Sequence, residues 1–311
     1  MRRLTTTLLV LFIIVSTCTG AWATSIEDVK SAIAQSGAQW LAAENDVADL
    51  HFTHGWYNPK AQWPFLTGTE IYYEPSDGKN LPDNLDWRDY KGQNWVTPVR
   101  DQSSCGSCWA FGSVGAIESN MAYYDGTPDP QLDLAEQQLL SCAFNLGCDG
   151  GGFTNFAFEY TKNTGLVDEQ CFPYVAEKVN CNQKCFDWKL RLKKINSWQI
   201  VSILPNTQKI MDALQNGPVA TSLMVYDDFF YYSGGVYTHV AGQMAGMHVV
   251  TIVGYNAAEQ YWICKNSWGE SWGEDGFFRI KFGAALIGLF TVLPVYYPPP
   301  ANFDFSKPLC E

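Results

Sequence analysis

Positive charge is scarce in this sequence: Lys and Arg number 20 against 32 Asp and Glu, giving a formal net charge of −12 over 311 residues. Nucleic acids and anionic membranes both reward basic patches, and no basic run is present, so neither is expected as a partner. Beyond the first residues no stretch offers the ~20 uninterrupted apolar residues needed to span a bilayer. Histidine occurs only four times, and only His239 and His248 lie beyond residue 80. No Asn-x-Ser/Thr sequon occurs, which disfavours sorting by N-linked glycans. What is plentiful is apolar surface, at 47% hydrophobic and 15% aromatic residues. That composition excludes a disordered chain, and the length suits one or two domains.

The start of the chain reads as a Sec-type signal peptide over residues 1–23. Arg2 and Arg3 precede an apolar run from Leu8 to Val15, and Ala21-Trp22-Ala23 supplies the small-x-small pattern before a cleavage site. A lipid anchor at Cys18 is the rival reading, but Thr17 fits a lipobox poorly. Of ten cysteines, Cys18 leaves with the signal. The remainder are Cys105, Cys108, Cys142, Cys148, Cys171, Cys181, Cys185, Cys264 and Cys310. In an exported chain cysteines default to disulfides, and an odd number leaves at least one candidate nucleophile.

Residues 24–80 form a polar leader without cysteine. An amphipathic helix is expected over Ile26 to Leu41, where Ile26, Val29, Ile33, Trp40 and Leu41 recur at roughly helical spacing. Trp56, Tyr57, Trp63 and Phe65 follow, punctuated by Pro59 and Pro64; they read as an extended segment that packs on the main domain or lies in a cleft. Helices are then expected at Cys108 to Tyr124, Leu134 to Cys142 (capped by Asp133 with Glu136), Phe153 to Thr161 and Thr207 to Asn216. After Gly217-Pro218 the period changes to short β-branched and aromatic runs: Met247 to Tyr255, Gln260 to Cys264, Gly276 to Lys281 and Leu289 to Tyr296. A helical half followed by an antiparallel β half predicts an α+β fold with a site between the halves.

Cys108 opens the strongest helix, where unpaired N–H groups and the macrodipole favour a thiolate. His248 begins a strand, and Asn266 follows on the next one. Cys105 with Cys108 is also a C-x-x-C pair. A redox motif would want a strand before it, and a zinc site would need further free thiols; neither fits an exported chain with a loop at 98–104. Gly150-Gly151-Gly152 lacks the Lys-Ser/Thr of a phosphate loop.

From Leu81 to about Tyr296 the sequence resembles the papain and cathepsin family of cysteine peptidases. The resemblance is carried by Gln102 to Trp109, Pro98-Val99-Arg100-Asp101-Gln102, Glu136-Gln137-Gln138-Leu139, Gly147-Cys148-Asp149-Gly150-Gly151, Gly217-Pro218-Val219 and Lys265-Asn266-Ser267-Trp268-Gly269. His248 lies 248 − 108 = 140 residues after Cys108, and Asn266 lies 266 − 108 = 158 after it. The resemblance implies that Cys108 is the nucleophile and His248 its base, paired as thiolate and imidazolium. It further implies that Asn266 orients His248, Trp268 shields that bond, and Gln102 donates to the oxyanion. Substrate would lie against Gly150, Gly151 and Trp268. Its second residue before the scissile bond would enter a pocket walled by Phe153, Ser222, Gly246 and Val292.

By the same resemblance Cys105 pairs with Cys148, Cys142 with Cys181, and Cys171 with Cys185, while Cys264 is a core thiol. The implied fold is papain-like: a helical half (about 98–195) and an antiparallel β-barrel-like half (about 196–296) enclose the cleft within a peptidase domain at 81–296. Residues 24–80 would be an inhibitory prosegment and 297–311 a C-terminal tail. The implied protein is a monomeric zymogen of an endopeptidase acting on protein or peptide substrates, without metal or organic cofactor. It would be exported to the extracellular space, a periplasm or a lysosome- or vacuole-like compartment. The alternative is a catalytically silent family member used as a binding module.

Overall fold

The computed structural model describes residues 24–48, 71–75, 80–143 and 147–299. Residues 1–23, read from sequence as a signal peptide, the aromatics Trp56, Tyr57, Trp63 and Phe65, and Cys310 lie outside the described residues. In chain order the elements are α1 (Ile26–Ser36), β1 (Trp40–Ala42), β2 (Asn84–Asp86), α2 (Cys108–Asp125), α3 (Glu136–Gln138), α4 (Gly147–Gly150), α5 (Thr154–Asn163) and α6 (Trp188–Arg191). Then follow β3 (Ser197–Ser202), α7 (Thr207–Ala213), β4 (Val219–Tyr226), β5 (Tyr232–Tyr237), β6 (Met244–Asn256), β7 (Tyr261–Lys265), β8 (Phe277–Lys281) and β9 (Leu289–Val295).

The α+β organisation is as expected, with one correction to the β half. The strands run in the order β1-β5-β8-β7-β6-β4-β9-β3, with β2 also on β6, and the path has two open ends, so the sheet is not closed into a barrel. The β5–β8 pair is parallel, and the other ladders are antiparallel.

Local chemistry explains where the sequence expectations shifted. The first helix stops at Ser36, because Gly37 takes a left-handed φ of 70° as its C-cap. Trp40 and Leu41 therefore fall on a strand, not on the helix face. The expected capping box at Asp133 does not form: Asp133 pairs with Arg100 at 2.7 Å, and a buried Glu118 caps the Leu134 N–H instead. Beyond Gln138 the chain widens into a π-helical turn, Leu139–Ala143.

Helix α2 is buried along nearly its whole length, from Cys108 to Ala122, which is what a helix apolar on every face requires. Strand β6 docks directly on it. A Cβ built on Gly112 would stand 2.7 Å from Val249 Cγ1, so only glycine admits this approach. Thr251 then donates its hydroxyl to the Gly112 carbonyl at 2.9 Å. The largest apolar cluster lies in the β half and includes Leu85, Trp87 and Val96, so residues 81–97 pack with the β half before the chain enters the helical one. A second cluster joins Cys108, Trp109 and Ile117 to Val249 and Val292 across the boundary.

Three disulfides form as expected, Cys105–Cys148, Cys142–Cys181 and Cys171–Cys185, while Cys108 and Cys264 are free and buried. With Cys105 so engaged, the redox and zinc readings of the C-x-x-C pair fall away. Among the described residues no helix is long and apolar enough to cross a membrane.

Candidate active site

Cys108 is the first residue of α2, and Ser107 before it makes no side-chain cap to the helix. The Ser107 hydroxyl bonds instead to the Tyr174 hydroxyl at 2.6 Å, and Tyr174 donates onward to the Gln102 carbonyl at 2.9 Å. Tyr174 thus fixes the turn that presents the thiol. Nothing in its sequence surroundings announced this role, since its partners lie 67 and 72 residues away.

His248 stands on β6, and its Nε2 lies 2.7 Å from Oδ1 of Asn266, just past the end of β7. An amide oxygen can only accept, so Nε2 carries the proton and Nδ1 the lone pair of the neutral ring. The Trp268 ring stacks on His248 with centroids 4.9 Å apart, and Phe230 stacks on the Trp268 ring at 5.4 Å. His248 has no exposed surface, and Asn266 and Trp268 have almost none. Water is thereby kept from the His–Asn bond. Phe230 was not singled out from sequence; its signal is only an aromatic run at 229–232.

Gln102 is buried with its amide fixed at both ends. Its Oε1 accepts from the Ser267 hydroxyl at 2.6 Å, and its Nε2 donates to the Cys105 carbonyl at 2.8 Å. One amide hydrogen remains for another acceptor.

Burial acts strongly on both reactive groups. Cys108 is only 7% exposed, and desolvation pushes its thiol up to about 12, against the backbone N–H groups of Val249, Trp109 and Cys108 itself, which favour the thiolate. Desolvation likewise carries His248 down to about 3, opposed by its bond to Asn266. Burial thus opposes charge on both groups, raising the thiol and lowering the imidazole.

The remaining site residues divide by place. Gly151, the middle residue of the glycine run, adopts a φ of 60°. A Cβ on Gly152 would meet the Trp109 ring at 2.4 Å, so the third glycine serves packing. Phe153 is half-buried at the start of α5. Ser222 pairs across the sheet with Val249 and Leu289, and Val292 pairs with Ala220 and Ile200. Gly246 faces Val225, farther along β6. Val292 is fully buried, so it backs this wall without reaching solvent. Val249 was overlooked from sequence: it follows His248, faces Ser222, and packs in one cluster with Cys108 and Val292.

His239 has a defined partner in the fold. Its Nδ1 lies 3.1 Å from both oxygens of the fully buried Asp228, which also accepts from the Tyr237 hydroxyl and the Val240 and Ala241 N–H groups. This cluster shapes the β5–β6 loop and contributes nothing to the Cys–His pair.

Comparison with known proteins places this geometry. The family model described as papain family cysteine protease matches residues 81–291. Pro-cathepsin H of Mus musculus is 39% identical over 238 residues, covering 72% of this chain and 65% of that protein. Fruit bromelain of Ananas comosus is 34% identical over 209 residues, covering 66% of this chain but 56% of its own length. The matched region is thus little more than half of that relative. Among solved structures, the digestive procathepsin L2 proteinase from Tenebrio molitor larval midgut superposes with a TM-score of 0.72 at 30% identity, covering 87% of this chain and 88% of that one. That structure is a proform, and the similarity extends beyond the 81–291 match into the preceding segment. With the thiol at a helix start in one half and the histidine held by Asn266 in the other, sequence, fold and site agree: this chain belongs to the papain family of cysteine proteases.

Proposed function

We propose that this chain is the exported zymogen of a cysteine endopeptidase, cleaving peptide bonds through Cys108, His248 and Asn266. The observation that carries the reading is the 2.7 Å bond from His248 Nε2 to Asn266, which leaves Nδ1 as the basic atom. Three disulfides suit an exported chain folded in an oxidising compartment.

The chemistry follows from these groups. Cys108 loses its proton to Nδ1 of His248, and the sulfur attacks the substrate carbonyl carbon. The oxyanion receives hydrogen bonds from Gln102 Nε2 and the Cys108 N–H, a contribution worth about 3 kcal/mol of barrier per donor. The C–N bond then breaks as the imidazolium returns its proton to the leaving amine, leaving an acyl-enzyme. Water, deprotonated by His248, adds to the thioester and releases the acid. Water entering an unblocked cleft lowers the cost of charge on both partners and moves them toward the ion pair.

Residues 24–48 and 71–75 pack on the peptidase domain, which supports reading residues 24–80 as its own inhibitory prosegment. Charge does not hold them there, because residues 24–80 carry 3 basic against 8 acidic residues on a chain of net charge −12. The pocket beside Ser222 and Val249 offers no carboxylate among Phe153, Ser222, Gly246 and Val292. A substrate Arg there would be buried unpaired, at a cost of several kcal/mol. Leu, Val or Phe is expected over Arg by at least about tenfold in kcat/KM, roughly 1.4 kcal/mol, measured with fluorogenic dipeptides differing only at that residue. An Arg preference would remove this pocket assignment.

The decisive experiment is Cys108→Ala together with labelling by an epoxysuccinyl peptide. The activated wild type should cleave peptides and bind one label at Cys108. The variant should do neither and remain folded. Cleavage by the variant would refute the mechanism.

A further inference from the structure

The sheet has two ends, and the segment before residue 81 meets both. At one end β1 is itself the outermost strand, laid against β5. At the other end the outermost strand is β3, where Tyr72 forms a parallel bridge to Ile200. Two backbone bonds secure it: the Tyr73 N–H donates to the Ile200 carbonyl, and the Ile200 N–H to the Ile71 carbonyl, each at 2.9 Å.

Tyr73 then leaves the surface. Ile71 and Tyr72 remain exposed, whereas Tyr73 is 8% exposed and joins the apolar cluster of the β half with Ile210, Met211 and Leu214. Its hydroxyl donates to Oδ2 of Asp212 at 2.5 Å and accepts from Nδ2 of Asn216 at 3.1 Å. Asp212 lies buried on α7. A phenol set between a buried carboxylate and an amide, with its backbone paired to a strand, occupies a fitted site, and its bond to the carboxylate is of the stronger, charge-assisted kind.

We propose that the outer edge of β3, with Asp212 and Asn216 beside it, is a second docking site for the prosegment, one that retains residues 71–75 after the chain upstream has been cut. The inference rests on reading residues 24–80 as a removable prosegment, and not on Cys108 being catalytic. Removal then takes two hydrolyses, each adding one water across a peptide bond to leave a new carboxylate and a new ammonium. The first, upstream of Ile71, frees α1 and β1. The second, which trims the stub ahead of Leu81, waits for Tyr73 to leave its site, because a protease must take the chain in extended form and this backbone is paired to Ile200.

The test uses the full-length Cys108→Ala proform, digested by limiting subtilisin and followed by intact mass, beside the same protein carrying Tyr73→Phe. Phenylalanine keeps the ring in the core and removes only the hydroxyl. A product beginning between residues 49 and 70 should accumulate first, and its conversion to products beginning after Tyr73 should be at least about fivefold faster in Tyr73→Phe. In the nicked parent, hydrogen exchange should show the Tyr73 and Ile200 amides still protected, a reading that needs no variant to fold. Equal trimming rates, direct loss of everything before Leu81 in the first step, or unprotected amides at both positions would overturn the proposal. Because the protease is supplied, an inactive wild type would refute the peptidase reading alone.

Discussion

Replacing Trp40 with alanine should weaken the hold of the prosegment more than any other single change at its N-terminal end. Trp40 is 2% exposed, and its ring meets Tyr237 at 5.2 Å and Tyr232 at 6.2 Å. Its Nε1 donates to the Thr238 carbonyl at 3.0 Å. In a detached prosegment this side chain is in water, so truncation forfeits the burial of a large aromatic, about 3 kcal/mol, and a hydrogen bond worth about 1 kcal/mol. Four kcal/mol is roughly three decades in affinity, and relaxation of the emptied site trims that to about two or three. Inhibition of the activated enzyme by peptide 24–80 provides the assay, with the inhibition constant expected to rise at least about a hundredfold for Trp40→Ala. A rise below about threefold would show that β1 contributes little, and that the aromatics at 56, 57, 63 and 65 carry the binding.

Two further outcomes are expected. Asn266→Ala should reduce kcat/KM less than His248→Ala, because Asn266 orients the base through one 2.7 Å bond and transfers no proton; equal losses in peptide hydrolysis would contradict these roles. Stability should fall as pH rises from about 5 to 8, since burial pushes the carboxyls of Glu118 and Glu169 each up to about 7 and that of Glu136 well above its ordinary range. A carboxyl raised on folding stabilises fully below its unfolded value near 4.5 and loses that contribution as pH passes through about 7. Glu169→Gln preserves an acceptor for the Tyr174 N–H and should flatten the slope of melting temperature against pH; a melting temperature that climbs over this range would refute the assignment.

The candidate catalytic residues were legible because each sits where local sequence already constrains it. Cys108 follows a glycine-serine turn into a long apolar pattern, and His248 and Asn266 border runs with a strand period. The short elements were not legible, because their partners are distant. Trp40 and Leu41 fit a helical spacing with Ile26, Val29 and Ile33, and only the left-handed turn at Gly37 separates them. β3, β4 and β5 carry mixed burial patterns, with both faces covered along much of β4. Asp133 and Glu136 have capping-box spacing, yet Arg100 takes the first and burial the second. Tyr73 gave no signal at all, since Asp212 lies 139 residues away.

One short segment links the proposed base, His248, to the proposed oxyanion donor, Gln102. Asn266 holds His248 through Oδ1, and Ser267, the next residue, holds Gln102 twice: its hydroxyl donates to Oε1 at 2.6 Å, and its carbonyl accepts the Gln102 N–H at 2.9 Å. Trp268 then bridges to Asp101 and covers His248. Gln102 leads through the Cys105 turn into α2, so the strand end that aims the imidazole also anchors the loop that positions the thiol. A shift of the β half against α2 would therefore move the histidine and the glutamine together with that tether. The close contact of Gly112 with Val249 resists such a shift at its origin, four residues along the helix from Cys108 and one along the strand from His248. How closely the helix that begins at Cys108 packs on the strand that carries His248 is set at this contact, and glycine at position 112 is what lets the two approach.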